Sequence, residues 1–126
     1  MDVDVLAGQR ILVVEDQYAI ALDLCEGLNR LGASVIGPAP SVEDALNLLE
    51  SKSPPDFAVL DVKLRGGAVY PVADRLDELG VRYLFTTACE ADDIPARYRR
   101  VPRFDKPVRL TSVLDAIRQQ VVHTHP

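Results

Sequence analysis

The chain has 126 residues, of which 48% are hydrophobic and 26% charged, with a formal net charge of -5. That length suits one domain able to bury about two-thirds of its unfolded surface, and the apolar content argues against intrinsic disorder. The acidic balance argues against sequence-independent binding to nucleic acid or to an anionic membrane surface, both of which need a net basic footprint.

The start Met1-Asp2-Val3-Asp4 is acidic, and no apolar run approaches the roughly 18 residues of a membrane span, so neither secretion nor membrane insertion is expected. The two cysteines, Cys25 and Cys89, fall in different elements without metal-type spacing. They read as reduced thiols of a cytoplasmic protein, with Cys25 in the core.

In chain order, the first strand is Ile11 to Val14. Ile20, Leu24, Leu28 and Leu31 then repeat at helical spacing, with Gly32 as the terminator. A second strand runs over Ser34 to Ile36. Ser41 followed by Asp44 resembles a capping box before a helix carrying Val42, Ala45, Leu46 and Leu49, which Pro54-Pro55 stops.

The third strand is Phe57 to Leu60, and the third helix begins near Pro71 and runs to Gly80. Val81 to Phe85 is the fourth strand. Pro95 and Pro102 leave space only for a short fourth helix around Ala96 to Arg100. Arg103 to Asp105 is a weaker fifth strand, followed by a helix with Leu110, Leu114, Ile117 and Val121. Strands alternating with helices imply an α/β fold, a doubly wound parallel sheet with helices on both faces, in one domain over 1–126 with its core at about 9–122.

Three strands end in polar residues: Glu15-Asp16, Asp61 and Thr86-Thr87. In a doubly wound parallel sheet these ends share the edge where ligands bind. Carboxylates gathered there repel one another and hold either protons or a cation, and oxygen-only ligands favour magnesium. Lys106, after the fifth strand, adds an ammonium at the same edge. Together these groups make a phosphoryl-transfer site, with Asp61 as nucleophile, Lys106 and the metal neutralising phosphoryl oxygens, and Thr87 donating a hydrogen bond. Taken alone, Glu15-Asp16 also reads as a pair of solvated turn acids capping the first helix.

The pieces Ile-Leu-Val-Val-Glu15-Asp16, Val-Leu-Asp61-Val-Lys63-Leu, Thr87-Ala88 and Lys106-Pro107, in this order, resemble the receiver domains of two-component response regulators from Arg10 to about Val122. The resemblance implies a flavodoxin-like strand order 2-1-3-4-5 and a metal site of Glu15, Asp16, Asp61 and the Lys63 backbone carbonyl. It further implies Asp61 as phosphoacceptor, Thr87 as switch hydroxyl and a histidine kinase or histidine phosphotransfer protein as donor. Gly80 to Ala88, then Ile94-Pro95 and the short run to Lys106, resemble the stand-alone FAT GUY receivers, with Thr86 and Ala88 in place of that motif's alanine and glycine.

Two positions depart from the family pattern. Arg65-Gly66-Gly67 follows the acceptor strand where proline-glycine is common, and Arg103 stands where an aromatic switch residue is usual. Phe104 beside it should face the opposite side of the sheet. Any switch would then act through Thr87, Ala88 and Arg103. The run Arg97, Arg99, Arg100, Arg103, Lys106 and Arg109 reads either as a solvated face or as a docking surface for an acidic partner. By resemblance Cys89 sits where phosphoryl lifetime is modulated, or it fills space; His123 and His125 read as tail residues.

Only the short tail with His123 and His125 follows the last helix, so no separate DNA-binding or enzymatic output is expected and the chain reads as a phosphorylation-switched module rather than an enzyme, acting through a downstream protein partner or phosphoryl relay. One alternative is a scaffold that binds partners without phosphorylation. Another is a phosphohydrolase using Asp61, disfavoured because Lys63 stands where a second acid is expected.

Overall fold

The computed structural model describes residues 5–88 and 94–122. Five strands, β1 (Arg10–Val14), β2 (Ser34–Ala39), β3 (Phe57–Asp61), β6 (Arg82–Thr87) and β7 (Arg103–Asp105), form a parallel sheet. Its order is β2-β1-β3-β6-β7. The intervening β4 (Lys63–Leu64) and β5 (Gly67–Ala68) form a separate antiparallel hairpin, so the main sheet follows the expected 2-1-3-4-5 arrangement.

Strand side chains alternate between two apolar layers because successive Cβ atoms point to opposite faces. Leu12, Val14, Ala58, Leu60 and Phe85 pack with Ala45 and Leu49 of α2 (Val42–Ser51) and Val72, Ala73 and Leu76 of α3 (Tyr70–Leu79). Ile11, Val13, Phe57, Val59 and Leu84 pack with Leu24 and Leu28 of α1 (Tyr18–Arg30) and Val113 and Ile117 of α4 (Leu110–Val122). β3, the central strand, is buried along its whole length, which explains its uninterrupted apolar run.

Helix ends follow local chemistry. The Ser41 hydroxyl accepts the Asp44 backbone N–H at 3.1 Å, the N-cap expected from the sequence. Gly80 closes α3 in the left-handed region at φ 72°, while the Val81 N–H returns to the Leu76 carbonyl at 2.9 Å.

Three elements differ from the sequence reading. β2 continues past Ile36 to Ala39, through Gly37-Pro38, because it is an edge strand and tolerates a proline that a central strand would not. Its register with β1 shifts between Leu12 and Val14. The short fourth helix reduces to a single 3-10 turn, Ala96–Tyr98, because Pro95 and Pro102 bracket too few residues for a longer helix. The β4–β5 hairpin was not expected at all, since two-residue strands leave no periodic signal. Cys25 is half-buried against the α1–α4 layer, and burial raises its thiol pKa.

Candidate functional site

The carboxyl ends of β1, β3, β6 and β7 meet at one edge, and the polar residues that follow or end these strands are brought together there. Glu15 is fixed by its backbone N–H, which donates to the Ala39 carbonyl at 3.0 Å, while its Oε2 accepts the Gln17 N–H at 3.0 Å. Asp61 is the last residue of β3 and, like Glu15, is buried. Lys106 is held by its own backbone N–H, which donates to the Thr87 carbonyl at 2.7 Å.

The Lys106 ammonium reaches into this pair of acids, 3.1 Å from Asp61 Oδ2 and 3.2 Å from Glu15 Oε1. Asp16 completes the cluster: one carboxylate oxygen from each of Glu15, Asp16 and Asp61 lies within 4.8 Å of the others. Asp16 Oδ2 also accepts the Arg65 backbone N–H at 3.1 Å, which ties the β4–β5 turn to the acids.

Three carboxylates face one ammonium, so the cluster carries a charge deficit. Burial, reinforced by the neighbouring Glu15 carboxylate, pushes the Asp61 pKa up to about 7 despite the opposing pull of Lys106. Burial draws the Lys106 pKa down, but the Asp61 and Glu15 carboxylates more than offset this and leave it raised. An oxygen-only donor set with residual negative charge is what a hard divalent cation of the magnesium type requires.

Thr87 is fully buried at the end of β6, and Ala88 after it is exposed. The Lys63 side chain is exposed on β4, two residues beyond Asp61. Arg103 on β7 pairs with Phe85 on β6 and forms an ion pair with Asp105 at 3.2 Å. It borders a cavity of about 490 Å³ together with Phe85, Tyr98 and Arg99. Phe104 packs on the opposite side, against the α1–α4 layer, as the strand period requires. Cys89, His123 and His125 lie outside the described residues.

Sequence reasoning missed a second polar-aromatic cluster. Tyr98 is 3% exposed and stacks on Tyr70 with ring centroids 4.8 Å apart, while meeting Phe85 edge-on. Its hydroxyl donates to Asp74 Oδ1 and accepts from Arg97, and Arg97 pairs with Asp74 Oδ2 at 3.0 Å. The available signal was a lone tyrosine within an arginine run, a pattern that hides burial because its partners come from α3.

Fold and site together define a doubly wound α/β domain with an oxygen-rich, lysine-compensated crevice at its strand ends. No protein-family model matches the chain. It is similar to SdrG from Pseudomonas melonis Fr1, solved in a BeF3-activated conformation, at 34% identity over 91% of this chain and 98% of that one, with a TM-score of 0.74. The response regulator PhyR from Brucella abortus superposes with a TM-score of 0.79 at 24% identity, covering 96% of this chain and 51% of PhyR. Sporulation initiation phosphotransferase F from Bacillus subtilis is 26% identical over 119 residues, 90% of this chain and 94% of the relative. The chain spans 30% of the length of two mycobacterial transcriptional regulatory proteins that it matches over 63 residues.

The chain belongs to the response-regulator receiver domains of two-component signalling. Among the described residues, no helix is long and apolar enough to cross a membrane.

Proposed function

We propose that the chain is a phosphoacceptor that takes a phosphoryl group on Asp61 from a histidine kinase or histidine phosphotransfer protein in the cytoplasm. The observation that supports this most directly is the Lys106 ammonium 3.1 Å from Asp61 Oδ2 inside a three-carboxylate cluster. Glu15, Asp16, Asp61 and the Lys63 backbone carbonyl would hold Mg2+, which neutralises phosphoryl oxygens during transfer.

The Asp61 carboxylate attacks phosphorus in line with the donor's P–N bond; that bond breaks and its electron pair leaves with the donor imidazole. Lys106 compensates charge on the transferred group, and Thr87 donates a hydrogen bond to it. Such transfer asks mainly for alignment and charge compensation, which residues anchored at strand ends supply. The phosphorylated domain then changes the binding of a downstream protein or passes the group onward. The run Gly80 to Ala88, followed by Ile94-Pro95, supports placing the chain with the FAT GUY stand-alone receivers.

Intact-mass measurement after incubation with acetyl phosphate and magnesium tests the reading. One added phosphoryl group, lost in Asp61→Asn, is the expected result. No mass gain would favour a phosphorylation-independent scaffold, and repeated turnover of an organic phosphate would favour a hydrolase. For the switch, Thr87→Ala should still be labelled but should lose the change in hydrogen exchange that phosphorylation causes over residues 94–102.

A further inference from the structure

A cavity of about 170 Å³ lies where α1 and α4 flank the ends of β1, β3 and β6. Its walls are mainly aliphatic, among them Leu24, Val59 and Val113. Glu15, Asp23, Thr86 and Lys106 supply its polar lining.

Thr86 distinguishes this cavity from an ordinary packing gap. It is 4% exposed, and its backbone carbonyl accepts the Val62 N–H, but its hydroxyl makes no hydrogen bond among the described residues. Glu15 and Lys106 are committed to one another and to Asp61. A hydroxyl on a cavity wall without a protein partner can pair with whatever fills the cavity.

The lining also defines what could satisfy that hydroxyl. Aliphatic walls favour an uncharged body, the paired Lys106 leaves no uncompensated cation for an anion, and Asp23 and Glu15 repel one. An aliphatic cavity of about 150 Å³ is known to hold benzene, so a single ring matches this volume.

We propose that this cavity is a binding site for a compact neutral molecule, a single aromatic ring or branched aliphatic body carrying one hydroxyl that pairs with Thr86. Because the cavity shares Lys106 and Glu15 with the carboxylate cluster, its occupant also alters the phosphorylation of Asp61. This second part rests on the phosphoacceptor reading.

Phenol and benzene serve as probes, titrated into the full chain while NMR follows Leu24, Val59 and Val113. Both should give saturable shifts at these residues. Thr86→Val, nearly the same shape without the hydroxyl, should weaken phenol about five- to tenfold and leave benzene unchanged. Val113→Phe should abolish both by filling the space; if that variant does not fold, Thr86→Val decides. Absence of saturable shifts with either probe, or unchanged phenol affinity in Thr86→Val, overturns the site. Saturating phenol should change the rate of labelling by acetyl phosphate about fivefold. Proven binding with an unchanged rate overturns the coupling alone. Failure of labelling without phenol counts against the phosphoacceptor reading, while the site is judged on binding.

Discussion

Lys106 Nζ stands 3.1 Å from Asp61 Oδ2, with only 13% of the lysine side chain and 4% of the aspartate side chain exposed. An ion pair so withdrawn from water is costly to break from one side, because the remaining charge stays buried without compensation. Lys106→Met is therefore expected to destabilise the metal-free protein by about 2 kcal/mol at pH 8, read from urea midpoints. Adding Asp61→Asn to that variant should recover most of the loss. A single variant as stable as the parent would show that the pair contributes nothing to the fold.

Asp61 titrates near 7 rather than at its ordinary 3.8, chiefly through burial and then through Glu15. From about pH 4 to pH 7 the folded protein keeps a proton that the unfolded chain has released, so stability falls as pH rises through that window. In chelator-treated buffer, unfolding midpoints measured across it should decline. Asp61→Asn should flatten the decline, and equal slopes in the two proteins would refute the assignment.

Magnesium should relieve the same repulsion. Millimolar Mg2+ is expected to raise the melting temperature in proportion to the logarithm of its concentration over affinity, because it binds only the assembled cluster. Asp16→Ala should remove most of this rise and also release the β4–β5 turn, since Asp16 accepts the Arg65 N–H. A melting temperature indifferent to magnesium in the parent would remove the metal from the site.

Gly37 sits at φ 98°, where an added Cβ would lie 2.8 Å from the Ala39 backbone nitrogen and 2.9 Å from the Val13 carbonyl oxygen. Both neighbours are backbone and cannot rotate away. Gly37→Ala is expected to cost at least ~2 kcal/mol in urea unfolding. It should also weaken phosphorylation, because the Ala39 carbonyl beyond it anchors the Glu15 N–H. A stability loss well under ~1 kcal/mol would mean that β2 bends elsewhere.

Much of the molecule was legible in the chain because its signals are local. Buried strands such as Phe57–Asp61 are continuous apolar runs, Ser41 and Gly80 carry their capping chemistry with them, and acids at strand ends stand out against those runs. The alternation of strands and helices led to the parallel sheet, and the placement of Glu15, Asp16, Asp61 and Lys106 at one edge follows from that topology.

What depended on tertiary structure involves partners distant in the chain. That Tyr98 is a buried member of an aromatic stack was decided by Tyr70 and Asp74 on α3, and that β2 runs through Gly37-Pro38 was decided by its place at the sheet edge. The protonation of Asp61 near pH 7 and the burial of Thr86 were likewise set by what surrounds them. Periodicity and capping are written in neighbouring residues, whereas burial, charge coupling and cavity shape arise only when segments far apart in sequence share the same few ångströms.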